Sequence, residues 1–218
     1  MINGDNSLFF NETAAAPHAS QRIAAIGTKA DVLAEIFEDN THIAIWRRHL
    51  NTRLTETAAR IAHTGTLFVP SMTVAPATAL RHVSDALDAD ESCEFARDVA
   101  SLVEMFCFLL GVERAFVRLT ALSKAMCPKF HVDQVTCRLI TTYQGAGTEW
   151  LAHQHVDRSK LGTGSRGRCD AESGLYPDAG LIQQINAGDV ALFKGESWIG
   201  NAGFGAVHRS PAVTEDEP

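Results

Sequence analysis

Residues 127–151 read CPKFHVDQVTCRLITTYQGAGTEWL, and the reading of the fold turns on this stretch. Its middle, FHVDQVTCRLITTY, is apolar and β-branched, a composition that suits a strand. The Gly-x-Gly that follows, Gly145 and Gly147, ends the run in a turn. His131 and Asp133 stand at the front of the run. Side chains two apart on a strand share a face. An imidazole and a carboxylate so placed are two ligands of one metal, or an ordinary surface pair at a strand end.

Downstream of residue 115 the chain continues as short strands: AFVRLTAL, GLIQQI, DVALFK and AVHRS, separated by Gly, Asp and Asn. Residues 157–174, DRSKLGTGSRGRCDAESG, have the polar, Gly-rich composition of a long flexible loop. Upstream the periodicity changes. Residues 31–39, 51–63, 77–89 and 91–110 repeat apolar positions at three- and four-residue steps, as helices do, and Gly111 ends the last of them. THIAIWRRHL (41–50) has a short strand-like centre, and LFVPSMTV is strand-like but broken at Pro70. Helices first and strands second predict one α+β domain over 31–212, with a helical part (31–112) against a jelly-roll part (113–212). Short antiparallel strands close their edges by forming a barrel or a double sheet. Residues 1–30 are expected to be a flexible lead-in and 213–218 an acidic tail.

Composition excludes several functions. A net charge of −7 argues against non-specific nucleic-acid binding, which needs a basic face. No apolar run approaches the roughly 20 residues of a membrane span. The N-terminus lacks the basic start and apolar core of a signal peptide. Five cysteines, with no CxxC pair, suit a reducing cytoplasm better than a disulfide framework. No nucleophile elbow, Walker loop or dinucleotide fingerprint is present.

Iron(II) in non-haem oxygenases is held by two histidines and one carboxylate, which leaves a face open for oxygen and substrate. Its sequence pattern is H-x-D on a strand end, a β-rich stretch, then a distal histidine. Here the set is His131, Asp133 and His208, the last in GFGAVHRSPA. A rival set lies in HQHVD, with His153, His155 and Asp157. The first copy leads into a strand and the second into the loop, and rigid elements hold ligands better than loops do. Cys127, four residues before His131, is a further candidate neighbour or buried filler.

FHVDQVTCRLITTYQGAGTEWL, AGDVALFKGESW and AVHRSPA together resemble domain-of-unknown-function family 1826, over roughly residues 35–212. More distantly the three blocks are similar to the double-stranded β-helix of oxygenases that use iron(II) and 2-oxoglutarate. That resemblance implies a cupin-like core, with iron on His131, Asp133 and His208, and a turn made by Gly145, Gly147 and Thr148. In that superfamily a basic residue shortly past the distal histidine commonly grips the 2-oxoglutarate carboxylate. No Arg or Lys follows Arg209 here. Arg209 neighbours His208 and on a regular strand faces away from it. Arg138 is the substitute, although on an unbroken strand it too faces away from His131; a bulge after Asp133 reverses that. Tyr143 is a candidate donor to the same carboxylate, or a half-buried strand tyrosine.

The expectation is a cytoplasmic iron(II) and 2-oxoglutarate oxygenase acting on a small molecule or peptide, with room for a homodimer. The alternative is a non-catalytic, cupin-like binder of zinc or a small molecule. Zinc is favoured if Cys127 or His153 joins the ligands, because zinc accepts mixed sets in closed tetrahedral sites. Trp150 and Trp198 line a pocket or pack the core. Arg158, Lys160 and the SRGR of 165–168 make a basic loop that steers an anion or is merely solvated.

Overall fold

The computed structural model describes residues 22–63, 68–89, 93–122 and 124–212. It is a mixed α+β structure. Strand β1 (Ile23–Gly27) leads into a 3-10 helix (Ala30–Phe37) and β2 (Thr41–Trp46). Helix α1 (Thr52–His63), strand β3 (Phe68–Val74) and helices α2 (Pro76–Ala86) and α3 (Glu94–Leu110) follow. Then come β4 (Ala115–Thr120), β5 (Cys137–Thr141), β6 (Glu149–Leu151), the four-residue α4 (Asp170–Ser173), β7 (Ile182–Gln184), β8 (Val190–Lys194) and β9 (Val207–Arg209).

Helix boundaries follow local chemistry. Asn51 caps α1, its Oδ1 accepting from the Leu54 amide at 2.8 Å. Pro76 opens α2, where its missing N–H costs nothing. Gly111 takes φ +64° after α3, and the Val112 amide turns back to the Cys107 carbonyl. Helix α3 buries Phe95, Val99, Leu102, Val103 and Cys107 along one stripe.

Among the described residues the strands do not close into a barrel. The strands make three sheets: β1-β2-β8-β5, β3-β4 and β7-β6-β9. The order of helices before strands also fails. Strands β1, β2 and β3 precede or interrupt the helices, and β1 lies inside the stretch expected to be a flexible lead-in. Tertiary pairing overrides local composition here: β1 is parallel to β2, and β2 is antiparallel to β8 across almost the whole chain.

Alternation divides the four-stranded sheet into two buried faces. Ala44, Val190 and Leu192 face the 3-10 helix and α3, with Leu33, Ile36 and Leu102. Ile43, Ile45, Ala191 and Phe193 face the other way, against Trp150 and Ile185 of the three-stranded sheet's segments. A sheet buried on both faces explains why VALF is continuously apolar rather than alternating, and why all of β8, Lys194 included, is buried. The β3-β4 sheet packs on α2 and α3 through Val74, Ala79, Val103 and Ala115.

The 157–174 stretch is a correction of another kind. It is folded into short 3-10 turns and α4, and covers the outer face of the three-stranded sheet. Leu161, Leu175 and Tyr176 pack there on Phe130, Leu151 and Val207. Polarity misled because its polar groups are used within the fold: Asp157 caps a turn at Ser159, and Asp170 accepts from the distant Phe130 amide at 2.8 Å. The five cysteines are free. No helix among the described residues is long and apolar enough to cross a membrane.

Candidate metal centre

His131 and His208 form an isolated antiparallel bridge, each amide donating to the other's carbonyl at 3.0 Å. Residues directly opposite in such a pair present side chains to the same face. Their rings accordingly lie 4.6 Å apart. Asp133, two residues beyond His131, reaches the same place. Its Oδ1 is 3.9 Å from His131 Nε2 and its Oδ2 is 3.5 Å from His208 Nε2. One ligand atom from each of the three residues lies within 4.8 Å of the others.

The tautomers follow from the backbone. His131 Nδ1 lies 3.0 Å from the Lys129 carbonyl, and His208 Nδ1 lies 3.0 Å from the Ala206 carbonyl. A carbonyl only accepts, so both Nδ1 atoms carry a hydrogen, and Nε2 is the atom that each ring turns toward Asp133. Each ring is thus oriented from behind by the carbonyl two residues earlier on its own chain, the support that ligating histidines require. Burial pushes the His208 pKa down to about 4, against the opposing pull of the Ala206 carbonyl and Asp133. His208 is therefore neutral at pH 7. Phe193 closes the inner side, its ring 4.8 Å from that of His208.

Residues 195–205 hold the two halves of the centre together. The Glu196 amide donates to the Asp133 carbonyl at 2.8 Å, and the Gly195 amide to Thr136 at 2.9 Å. Gly195 is required at that approach: a Cβ there would meet the Val135 carbonyl oxygen at 1.8 Å and the Asp133 oxygen at 2.9 Å. The Glu196 carboxylate accepts from the Gly203 and Gly205 amides and from Arg158 at 3.1 Å. Arg158 also donates to the Gly205 carbonyl at 2.9 Å. Sequence reading missed Gly195, Glu196 and this use of Arg158. The KGES that follows the apolar strand was the only trace of the first two.

The cofactor-holding residues expected from sequence divide. Arg138 reaches the centre, because bends at 134–136 interrupt the strand before β5 and reset its alternation. It pairs across the sheet with Phe193 and forks the Asp133 carboxylate, Nε to Oδ2 and one terminal nitrogen to Oδ1 at 3.1 Å. Tyr143 does not join the ligand group. Its hydroxyl donates to Asp98 at 2.5 Å, in a network with Arg48, and its ring stacks on Phe95. Arg209 does not join it either, as strand alternation dictates: it pairs with Glu149 at 2.6 Å and Asp170 at 3.2 Å.

The rival ligands separate likewise. His153 lies against His42 and Phe204, and Asp157 caps a 3-10 turn. Cys127 is exposed and outside the ligand group. Trp150 is core, and Trp198 stacks between Phe37 and the Lys194 ammonium. In the glycine turn, Gly145 takes φ +79°, and a Cβ on Gly147 would overlap the Ile185 carbonyl.

Two imidazoles and one carboxylate on one face suit a divalent first-row metal, and suit the harder members, iron or manganese, as well as zinc. No curated protein and no solved structure matches the chain. Residues 27–218 match the model of a family described as "Protein of unknown function (DUF1826)". With most of its length inside that match, the chain belongs to the DUF1826 family.

Proposed function

We propose that the protein is a mononuclear metal-dependent oxygenase. Iron(II) would be held by His131, Asp133 and His208, 2-oxoglutarate would be the electron source, and a small molecule or peptide the substrate. The observation that carries this reading is the convergence of those three ligand atoms within 4.8 Å, both imidazoles presenting Nε2. Bound iron(II) supplies the redox chemistry with dioxygen.

The chain's own contribution is orientation. The Lys129 and Ala206 carbonyls aim the imidazoles, Glu196 and Gly195 fix the backbone around Asp133, and Arg138 fixes its carboxylate. Arg138 is also the basic group at hand for a cosubstrate carboxylate, since a guanidinium matches a carboxylate in two-point geometry. Strand order supports a jelly-roll reading of the core. His131, β6, β7 and β9 belong to one sheet system, β5 and β8 to the other, so the chain crosses between them repeatedly.

The alternative, a cupin-like zinc binder with a closed site, calls for a fourth protein ligand. The ligand group holds three residues among those described, which favours an open centre. The test is anaerobic loading of metal-free protein with iron(II), then oxygen and 2-oxoglutarate consumption beside a His131→Ala, His208→Ala double variant. Stoichiometric iron and turnover, both lost in the variant, are expected. Equal metal content and turnover in the variant would sink the reading. Zinc bound tightly without any oxygen consumption would move it to the binder.

A further inference from the structure

A second group of polar residues lies beyond the metal centre, where β1, β2 and the turn after β6 meet. His42 and Arg22 are 2% and 9% exposed. Among the described residues, neither ring nitrogen of His42 has a hydrogen-bond partner, nor does Arg22 Nε, nor Nδ1 of the half-buried His153. His42 and His153 face one another edge to face at 6.3 Å, too far to bond directly. Phe204 forms the floor, with the Arg22 guanidinium 4.7 Å above its ring and His153 at 5.6 Å.

Buried polar groups without partners are rare in folded proteins, and the Arg22 Nε–H and the single N–H of the neutral His42 imidazole each call for an acceptor. The charge around these four nitrogens says which kind. Arg22 and Arg158 both act on the two histidines, and no carboxylate does so appreciably. Glu196 already accepts from Arg158 and two backbone amides. Arg22 gives one terminal nitrogen to the Asp39 carbonyl. The Arg22 and Arg158 guanidiniums beside these two imidazoles supply positive charge that favours an anion over a cation.

We infer that Arg22, His42 and His153 form a binding site for a small oxyanion, a phosphate or carboxylate group, distinct from the metal centre. The inference does not depend on the proposed oxygenase reading. The two sites are nonetheless close in the fold: Ile43, next to His42, packs with Phe193 and Ala206, which touch and orient His208.

The test is calorimetric titration of the full chain with inorganic phosphate, and separately with acetate, in a buffer free of both, with chloride as control. Saturable binding of one anion per chain is expected. Substituting Arg22→Gln or His153→Phe should weaken it about tenfold or more, the worth of one charge-assisted hydrogen bond. Asp133→Ala, which disables the metal centre, should bind the anion as before. Phosphate alone binding assigns a phosphate group, and acetate competing with it assigns a carboxylate-tolerant site. If Arg22→Gln fails to fold, the half-buried His153→Phe decides. No saturable heat with either anion, equal binding of chloride, or affinity unchanged in His153→Phe would overturn the inference and leave ordered water as the partner of these nitrogens. Loss of anion binding in Asp133→Ala would place the anion on the metal and equally overturn it.

Discussion

The guanidinium of Arg138 lies across the carboxylate of Asp133, touching both of its oxygens. The two residues are five apart, on either side of the bends that separate the His131 bridge from β5. That fork fixes the plane in which Asp133 presents its remaining lone pairs to His131 and His208. Outer hydrogen bonds that orient a ligand are worth about 10–100-fold in metal affinity. Arg138→Leu is therefore expected to keep one metal site per chain but to bind it at least about tenfold more weakly. Competition with a chromophoric chelator measures this. Tighter binding in the variant would mean that Arg138 competes with the metal instead of orienting its ligand.

Gly195 ties the candidate metal centre to the four-stranded sheet. Because a Cβ there would collide with the carbonyls of Val135 and Asp133, Gly195→Ala must push the 133–135 backbone outward. Overpacking against backbone costs about 1–3 kcal/mol or more. The expected result is a loss of that size in chemical denaturation, together with weakened metal binding. A variant with wild-type metal affinity would show that the loop 195–205 moves independently of Asp133.

Tyr143 tests the opposite case, a residue whose role is structural. Its hydroxyl and the Arg48 fork share Asp98, and burial followed by the Asp98 charge raises the phenol's pKa well above its ordinary value. Removing the hydroxyl in Tyr143→Phe leaves a carboxylate that Arg48 still neutralises. The expected loss is about 1–2 kcal/mol of stability. Metal content and any 2-oxoglutarate affinity should be unchanged. A selective loss of cosubstrate affinity at wild-type stability would return Tyr143 to the site.

His42 makes stability pH-dependent. Burial, helped by His153, Arg158 and Arg22, holds its pKa down at about 3; the Ile23 backbone opposes this without making a hydrogen bond of normal geometry. The unfolded chain protonates this histidine near its ordinary value of about 6.5, so it binds the proton that the folded chain refuses. Stability from this group is complete above pH 6.5 and falls as pH drops towards 3, by up to about 1.4 kcal/mol per pH unit. His42→Phe should flatten that acid limb between pH 6.5 and 4 in buffer free of phosphate, measured by urea denaturation. An unchanged slope would show that His42 already takes up a proton in the folded state.

Local chemistry by itself determined the helices and most strand segments of this protein. The apolar spacing of 94–110, the αL glycine at 111 and the β-branched run after Asp133 depend on neighbours within a few residues. The residues His131, Asp133 and His208, which the structure brings together, were legible too: the first pair stand two apart before a strand, and the third lies in a short apolar segment after a glycine-rich turn. Sheet membership was not legible. Whether strands close into one barrel or divide among three sheets is set by long-range pairing, such as β1 with β2 and β2 with β8, which no local pattern encodes. Likewise Arg138, though exposed, faces Asp133 only because bends at 134–136 shift the alternation by the residues they consume. Tyr143 and Arg209, close to the ligands in sequence, are drawn to Asp98, Glu149 and Asp170, because a buried or half-buried polar group goes where packing leaves a partner for it.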